Sequence, residues 1–200
     1  GIRDYKVTWS SDVCSSDLSS IAHTGYLMVG VVAAGAGESA GVSGVLFYSA
    51  AYALMNIGAF AFLTSVQGRP GATVQLADLA GLGRKHPLTA LLAALFLLSL
   101  TGIPPTAGFF AKAYVVLSAV QAGGIASVLA IVAVLNAAVA AFYYLRVIVY
   151  LFMRDPGAAD VQVATAPLLR ARLFIAAVGT LALGLLPGSL IEAVTKAIAG

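Results

Sequence analysis

The chain is poor in what most chemistry needs. It holds one cysteine, Cys14, two histidines, one tryptophan and only 10% charged residues across 200 positions. A lone cysteine excludes an internal disulfide, a cysteine-ligated zinc site and an iron–sulfur cluster built from this chain alone. His23 and His86 are far apart in sequence, and the apolar stretches have almost no carboxylates to complete a metal site, so no metal is expected. No glycine-rich phosphate loop of nucleotide-binding type is present. Basic clusters interleaved with aromatics are also missing, which argues against nucleic acid as a partner. What remains is apolar: 60% hydrophobic residues with a mean hydropathy of +0.98. A soluble domain carries about 25% charge. The expected fold is all-α, a polytopic transmembrane helix bundle with the lipid bilayer as its surroundings.

Residues 1–18 stand apart. They carry five of the nineteen Lys, Arg, Asp and Glu residues, the only Trp and the only Cys. They are too polar to span a bilayer and lack the apolar core of a signal peptide. The run from Trp9 to Leu18 resembles a reading frame of a common sequencing adapter, so 1–18 is read as a non-native segment or a disordered tail. With no initiating Met, the chain reads as a truncated piece whose membrane domain is 19–200.

Five apolar segments follow. They run over about Ser19–Ala36, Val42–Val66, Leu88–Gln121, Ile125–Met153 and Leu168–Leu186, with an amphipathic end over Ser189–Ala199. Val74–Leu82 reads as a short interfacial helix. A span needs about 20 residues to cross a hydrocarbon core about 30 Å thick. The third segment, at 34 residues, would be about 51 Å long as a straight helix. It is interrupted by Gly102-Ile103-Pro104-Pro105, where two prolines remove backbone donors and a glycine adds freedom. A discontinuous helix is therefore expected, and its break must face protein or a water-filled cavity because lipid offers its backbone no partners.

Charge placement gives an independent test. Alternating spans put the connections 68–87 and 154–172 on one side. These carry Arg69, Arg84, Lys85, Arg154, Arg170 and Arg172, whereas the turns 35–41 and 121–124 carry no Lys or Arg. The positive-inside rule then makes the long connections cytoplasmic.

Lys112 is the leading functional candidate. It lies eight residues beyond Pro104 on the second half of the broken span, among Gly108, Phe109, Ala113 and Val116. A charge at that depth costs about 2.5–3.5 kcal/mol on insertion scales. Nine residues, about 13 Å of helix, separate Lys112 from Gln121, too far for an easy snorkel to the headgroups. An ion or proton path is the indicated role. His23, in the run Ser19-Ser-Ile-Ala-His-Thr-Gly-Tyr26, is a candidate relay with Ser20, Thr24 and Tyr26 beside it; the plainer reading is a hydrogen-bonded structural histidine. Asn56 and Asn136 read as buried interhelix amides, and Ser99 and Thr101 as partners for backbone groups freed by the break. Arg146, in Tyr143-Tyr144-Leu-Arg146, reads as an interfacial anchor or a residue next to the pathway, with Tyr144 alongside. Glu38, Glu192 and Lys196 read as solvated.

Several runs resemble the antiporter-like membrane subunits of respiratory complex I: Ser19–Tyr26, Ala51-Tyr-Ala-Leu-Met-Asn-Ile-Gly-Ala-Phe60, Asp78-Leu-Ala-Gly-Leu-Gly83 and, above all, Leu98-Ser-Leu-Thr-Gly-Ile-Pro-Pro-Thr-Ala-Gly-Phe-Phe-Ala-Lys-Ala-Tyr114. The resemblance covers Ser19 to about Leu186. It implies the C-terminal part of a fold with two inverted five-helix repeats. It places Lys112 on the second discontinuous helix, in the outward half-channel, and His23 on a central hydrated axis. Lysine rather than glutamate at 112 separates the chain from a sister subunit type. The implied function is proton translocation coupled to quinone reduction in a bacterial inner membrane, among other membrane-arm subunits. By the same resemblance this chain carries no cofactor, while NAD, FMN, iron–sulfur clusters and quinone belong to partner subunits. The rival is a subunit of a multisubunit cation/proton antiporter, which shares the fold and the buried lysine.

Overall fold

The computed structural model describes residues 11–67, 76–155, 162–163 and 167–199. Among the described residues eight α-helices follow in order: α1 (Ser11–Gly35), α2 (Ser39–Ser65), α3 (Leu82–Lys85), α4 (Pro87–Thr101), α5 (Ala107–Ala122), α6 (Gly124–Met153), α7 (Pro167–Leu185) and α8 (Pro187–Ala199). A 3-10 turn at Leu76–Leu79 precedes α3. Among the described residues the bundle is all-α apart from a two-residue pairing described below. Three helices, α2, α6 and α7, are each long and apolar enough to cross a membrane; α4 and α5 are shorter apolar helices that together make one crossing. With α1 they form the five membrane segments.

The ends of these helices follow from local chemistry. Pro87 opens α4 and Pro187 opens α8, first-turn positions where a missing N–H costs nothing. Glu38 is not merely solvated: it caps α2, its carboxylate accepting from the Ala40 amide at 3.4 Å. The interfacial helix expected over Val74–Leu82 is instead split. A left-handed Gly81 separates the 3-10 turn from α3, and positions 74–75 lie outside the described residues. Helix α1 starts at Ser11, earlier than the expected boundary, so 11–18 is helical in backbone. Positions 1–10 and Arg69 lie outside the described residues.

The connections gather as the charge pattern requires. Val66–Gln67 (β1) pairs antiparallel with Gln162–Val163 (β2). The Gly81 amide donates to Tyr150 O, and Arg84 pairs with Asp155 at 3.0 Å. These ties gather the two arginine-bearing connections and the end of α6 at one end of the bundle. The short turns at Gly37 and Gly123, both with positive φ, close the helices elsewhere. The same hydroxyl contact that brings α8 back, Ser43 Oγ to Thr195 Oγ1 at 3.4 Å, seats it beside the start of α2.

Two buried clusters organise the interior. One holds Tyr26, Phe47, Tyr48, Met55, Leu100 and Val115 with a series of alanines; the other, toward the arginine-bearing end, holds Phe62, Leu79, Leu82, Phe96, Leu151 and Leu173. The outer face of α6 carries exposed Ile125, Val128, Ile131, Leu135 and Phe142, as a lipid- or protein-facing surface does.

Candidate functional site

The break between α4 and α5 is built by its own sequence. Gly102, at φ +91°, ends α4 in the left-handed region, and its amide returns to Leu98 O and Ser99 O. Glycine takes that conformation without a Cβ penalty. The prolines then matter in a specific way. In a continuous helix Leu100 O would accept from residue 104 and Thr101 O from residue 105. Both are prolines with no N–H. These two orphaned carbonyls are the ones that accept from Lys112 Nζ, each at 2.7 Å. The lysine amine thus supplies the donors the prolines withhold, and its positive end meets the negative pole of α4.

Space for the lysine comes from glycine. A Cβ on Gly102 would lie 3.0 Å from Lys112 Cδ and 3.3 Å from Nζ. On the other side of the break, Gly108 lets α5 lie against α4 so closely that a Cβ there would overlap Ser99 O. Ser99 Oγ accepts from the Gly108 amide at 3.2 Å and donates to Met55 Sδ at 2.8 Å. So Ser99 does satisfy a freed backbone group. Thr101 does not; its hydroxyl bonds back to Leu97 O within α4.

Around this break lies a cluster of aromatic hydroxyls. Lys112 Nζ sits 5.3 Å from the centroid of the Tyr26 ring, within cation–π range. Tyr26 donates to Ala133 O on α6 at 2.7 Å and stacks on Tyr48 with centroids 5.8 Å apart. His23 is 2% exposed. Its Nδ1 is 2.7 Å from Tyr48 Oη, and its ring stacks on Tyr52 at 4.5 Å. Tyr144 is buried and hydrogen-bonded to Ser19. A cavity of about 180 Å³ runs from this Ser19–Tyr144 pair past Asn56 to Val66, Leu76 and Leu79 at the arginine-bearing end.

The structure therefore brings Lys112, His23, Gly102, Pro104, Pro105 and Tyr144 into one region. Arg146 is not in it: the residue is exposed, with its guanidinium 6.0 Å over the Tyr150 ring. Asn136 is exposed on α6 rather than buried, and Asn56 is half-buried, lining the cavity. Both are corrections to the expectation of buried interhelix amides. Tyr48 and Tyr52 went unnoticed in the sequence. Their signal was present: two phenols at i and i+4 in an apolar helix share one face, and a buried Tyr hydroxyl needs a partner. Among the described residues no group of three or more His, Cys, Asp or Glu side chains gathers as metal ligands would.

A bundle of membrane helices, one of them broken, with a lysine amine held at the break, defines a class of polytopic membrane proteins with a discontinuous helix. Comparison makes this particular. Residues 17–137 match the family described as NADH:quinone oxidoreductase/Mrp antiporter, TM, and the chain belongs to that family. It is 44% identical over 182 residues to NADH-quinone oxidoreductase subunit N 1 of Solibacter usitatus, an alignment covering 90% of this chain and 36% of the relative. A chain in the structure of respiratory complex I from Thermus thermophilus with bound aureothin matches with a TM-score of 0.68 and 36% identity, over 87% of this chain and 38% of that one. A chain of the Mrp complex from Dietzia sp. DQ12-45-1b matches with a TM-score of 0.66 and 25% identity, over 85% and 39%. The chain thus spans little more than a third of the length of these relatives. It is a multi-pass protein of the bacterial inner membrane.

Proposed function

We propose that this chain is part of a subunit N-type, proton-translocating membrane-arm subunit of an NADH:quinone oxidoreductase. The observation that carries the reading is the pair of 2.7 Å bonds from Lys112 Nζ to carbonyls orphaned by Pro104 and Pro105. Two carbonyl oxygens can accept from an ammonium, with the stronger bonds, and also from the two hydrogens of a neutral amine. The partners therefore keep the amine in place in either protonation state, which is what a group that gains and loses a proton in every cycle requires. His23, with its hydroxyl neighbours, feeds that amine, and the Gly102–Thr106 break admits the water that connects them. NADH, FMN, iron–sulfur clusters and quinone reside in partner subunits; this chain contributes the proton step, and the other membrane-arm subunits are its partners.

The test is Lys112→Ala in the full-length subunit within its assembled complex. Proton export per electron falls while assembly and NADH oxidation through the peripheral redox centres persist. An unchanged proton-to-electron ratio overturns the assignment.

The second reading, a subunit of a multisubunit cation/proton antiporter, is favoured by the likeness to the Mrp complex and by the family's double description. Proton movement in membrane vesicles decides between them. Export driven by NADH oxidation belongs to the first; exchange driven by a cation gradient without NADH belongs to the second.

A further inference from the structure

We propose that Ser99 is a positioning residue for Lys112: its hydroxyl caps α5 from the far side of the break and so sets where the amine meets α4. The inference rests on the proton-translocation reading of Lys112 and deepens it.

A helix that starts inside a bilayer must find acceptors for its first amides, and the usual source is the side chain of its N-cap residue. Thr106 holds that position in α5 but caps nothing; its hydroxyl donates to Ile103 O at 2.7 Å. The acceptor comes instead from α4, where Ser99 Oγ takes the Gly108 amide at 3.2 Å. Serine and threonine hydroxyls within a helix commonly return to the carbonyl four residues back, as those of Thr24, Ser49, Thr101 and Thr180 do here. Ser99 is turned the other way. Its hydrogen goes to the thioether of Met55 on α2, at 2.8 Å, which leaves the oxygen lone pairs for the Gly108 amide. Both Ser99 and Met55 are buried.

The two halves of the broken helix therefore cap each other. Ser99 of α4 serves the start of α5, and Lys112 of α5 serves the end of α4 at Leu100 O and Thr101 O. The two contacts are mechanically linked. Gly108 and Lys112 are four residues apart on one face of α5, separated by about 6 Å of rise. A helical side chain leans back over the turn that precedes it, so the lysine stem lies along the turn that runs back to Gly108. On α4 the acceptors Leu100 O and Thr101 O directly follow Ser99. One hydrogen bond thus sets the offset of α5 against α4, and that offset sets whether Nζ reaches both carbonyls. The close approach at Gly108, where a Cβ would overlap Ser99 O, leaves the two helices little other play.

The experiment uses the full-length subunit within its assembled complex and reads proton export per electron across a range of pH. Ser99→Ala is compared with Lys112→Ala and with Ser118→Ala as the structural control. Ser118 is also buried on α5, but its hydroxyl stays within that helix, on Val115 O. Ser99→Ala takes the acceptor from the Gly108 amide, and export at neutral pH falls roughly tenfold. The pH midpoint of the remaining export moves by about half a unit or more, because the amine's bonds to Leu100 O and Thr101 O change. The titratable groups facing the amine, Tyr26 and His23 on α1, are left in place by the substitution. Ser118→Ala keeps the parent's export and midpoint; an equal midpoint shift there overturns the positioning role. Parental export and midpoint in Ser99→Ala, beside lost export in Lys112→Ala, overturn that role and leave the wider reading standing. Parental export in Lys112→Ala overturns the wider reading and the positioning role with it. If Ser99→Ala does not assemble, Ser99→Cys decides, since a thiol fills the same space but accepts weakly: a moved midpoint supports the role and an unmoved one refutes it.

Discussion

Two cations, Lys112 and Arg84, mark opposite ways of treating charge in one small bundle. Arg84 pairs with a carboxylate, Asp155, at 3.0 Å, and both side chains are mostly in water. Lys112 is half-buried at a helix break and pairs with two backbone carbonyls. The exposed pair has an ideal partner and little energetic consequence, because water and salt screen it to about 0–1 kcal/mol. The buried amine has neutral partners and a large consequence, because nothing else at that depth solvates it. A carboxylate beside Lys112 would have made it a permanent ion. Carbonyl partners suit the proton exchange proposed for it. On that proposal, the distinction separates a residue that ties two connections together from one that carries a proton.

The contrast can be broken or sharpened by mutation. The largest effect is expected at Lys112 itself, where Lys112→Ala removes proton export from the assembled complex, read as acidification outside vesicles per electron transferred. Gly108→Ala comes next. Its Cβ overlaps Ser99 O, so α4 and α5 must part, at a cost of about 1–3 kcal/mol; a lowered melting temperature of the solubilised complex would report it. Gly102→Ala is milder. A Cβ in the left-handed region costs about 1–2 kcal/mol, and it meets the lysine side chain at 3.0 Å. Export should fall by more than stability does, since the amine is displaced while the core is not. Arg84→Gln is the smallest, within about 0.5 kcal/mol of the parent in the same melt. A large loss there would show that the two connections need this ion pair as well as the β1–β2 pairing.

Much of this fold could be read from the chain. The five segments, the break and the end at which the arginines gather all follow from hydropathy, proline and charge. They are one-dimensional signals with strong energetic penalties behind them. Lys112 was legible for the same reason. Its partners were legible in principle, since Pro104 and Pro105 identify by subtraction which carbonyls are orphaned. The aromatic cluster was harder. Tyr48 sits in an apolar helix where a ring is unremarkable as packing, and only the three-dimensional approach of α1 to α2 brings it to His23. Asn136 misled because an amide in an apolar helix suggests a buried partner, yet its face of α6 is uncovered in this chain. Two-residue pairings such as β1–β2 carry no periodicity for a sequence to display.

The most direct measurement is proton export by the assembled complex carrying Lys112→Arg. Arginine keeps the positive charge and the donors but does not release its proton in proteins. If the amine works by exchanging a proton, Lys112→Arg abolishes export as fully as Lys112→Ala. Export at the parent's proton-to-electron ratio would contradict this, and would reduce Lys112 to a fixed charge bracing the broken helix.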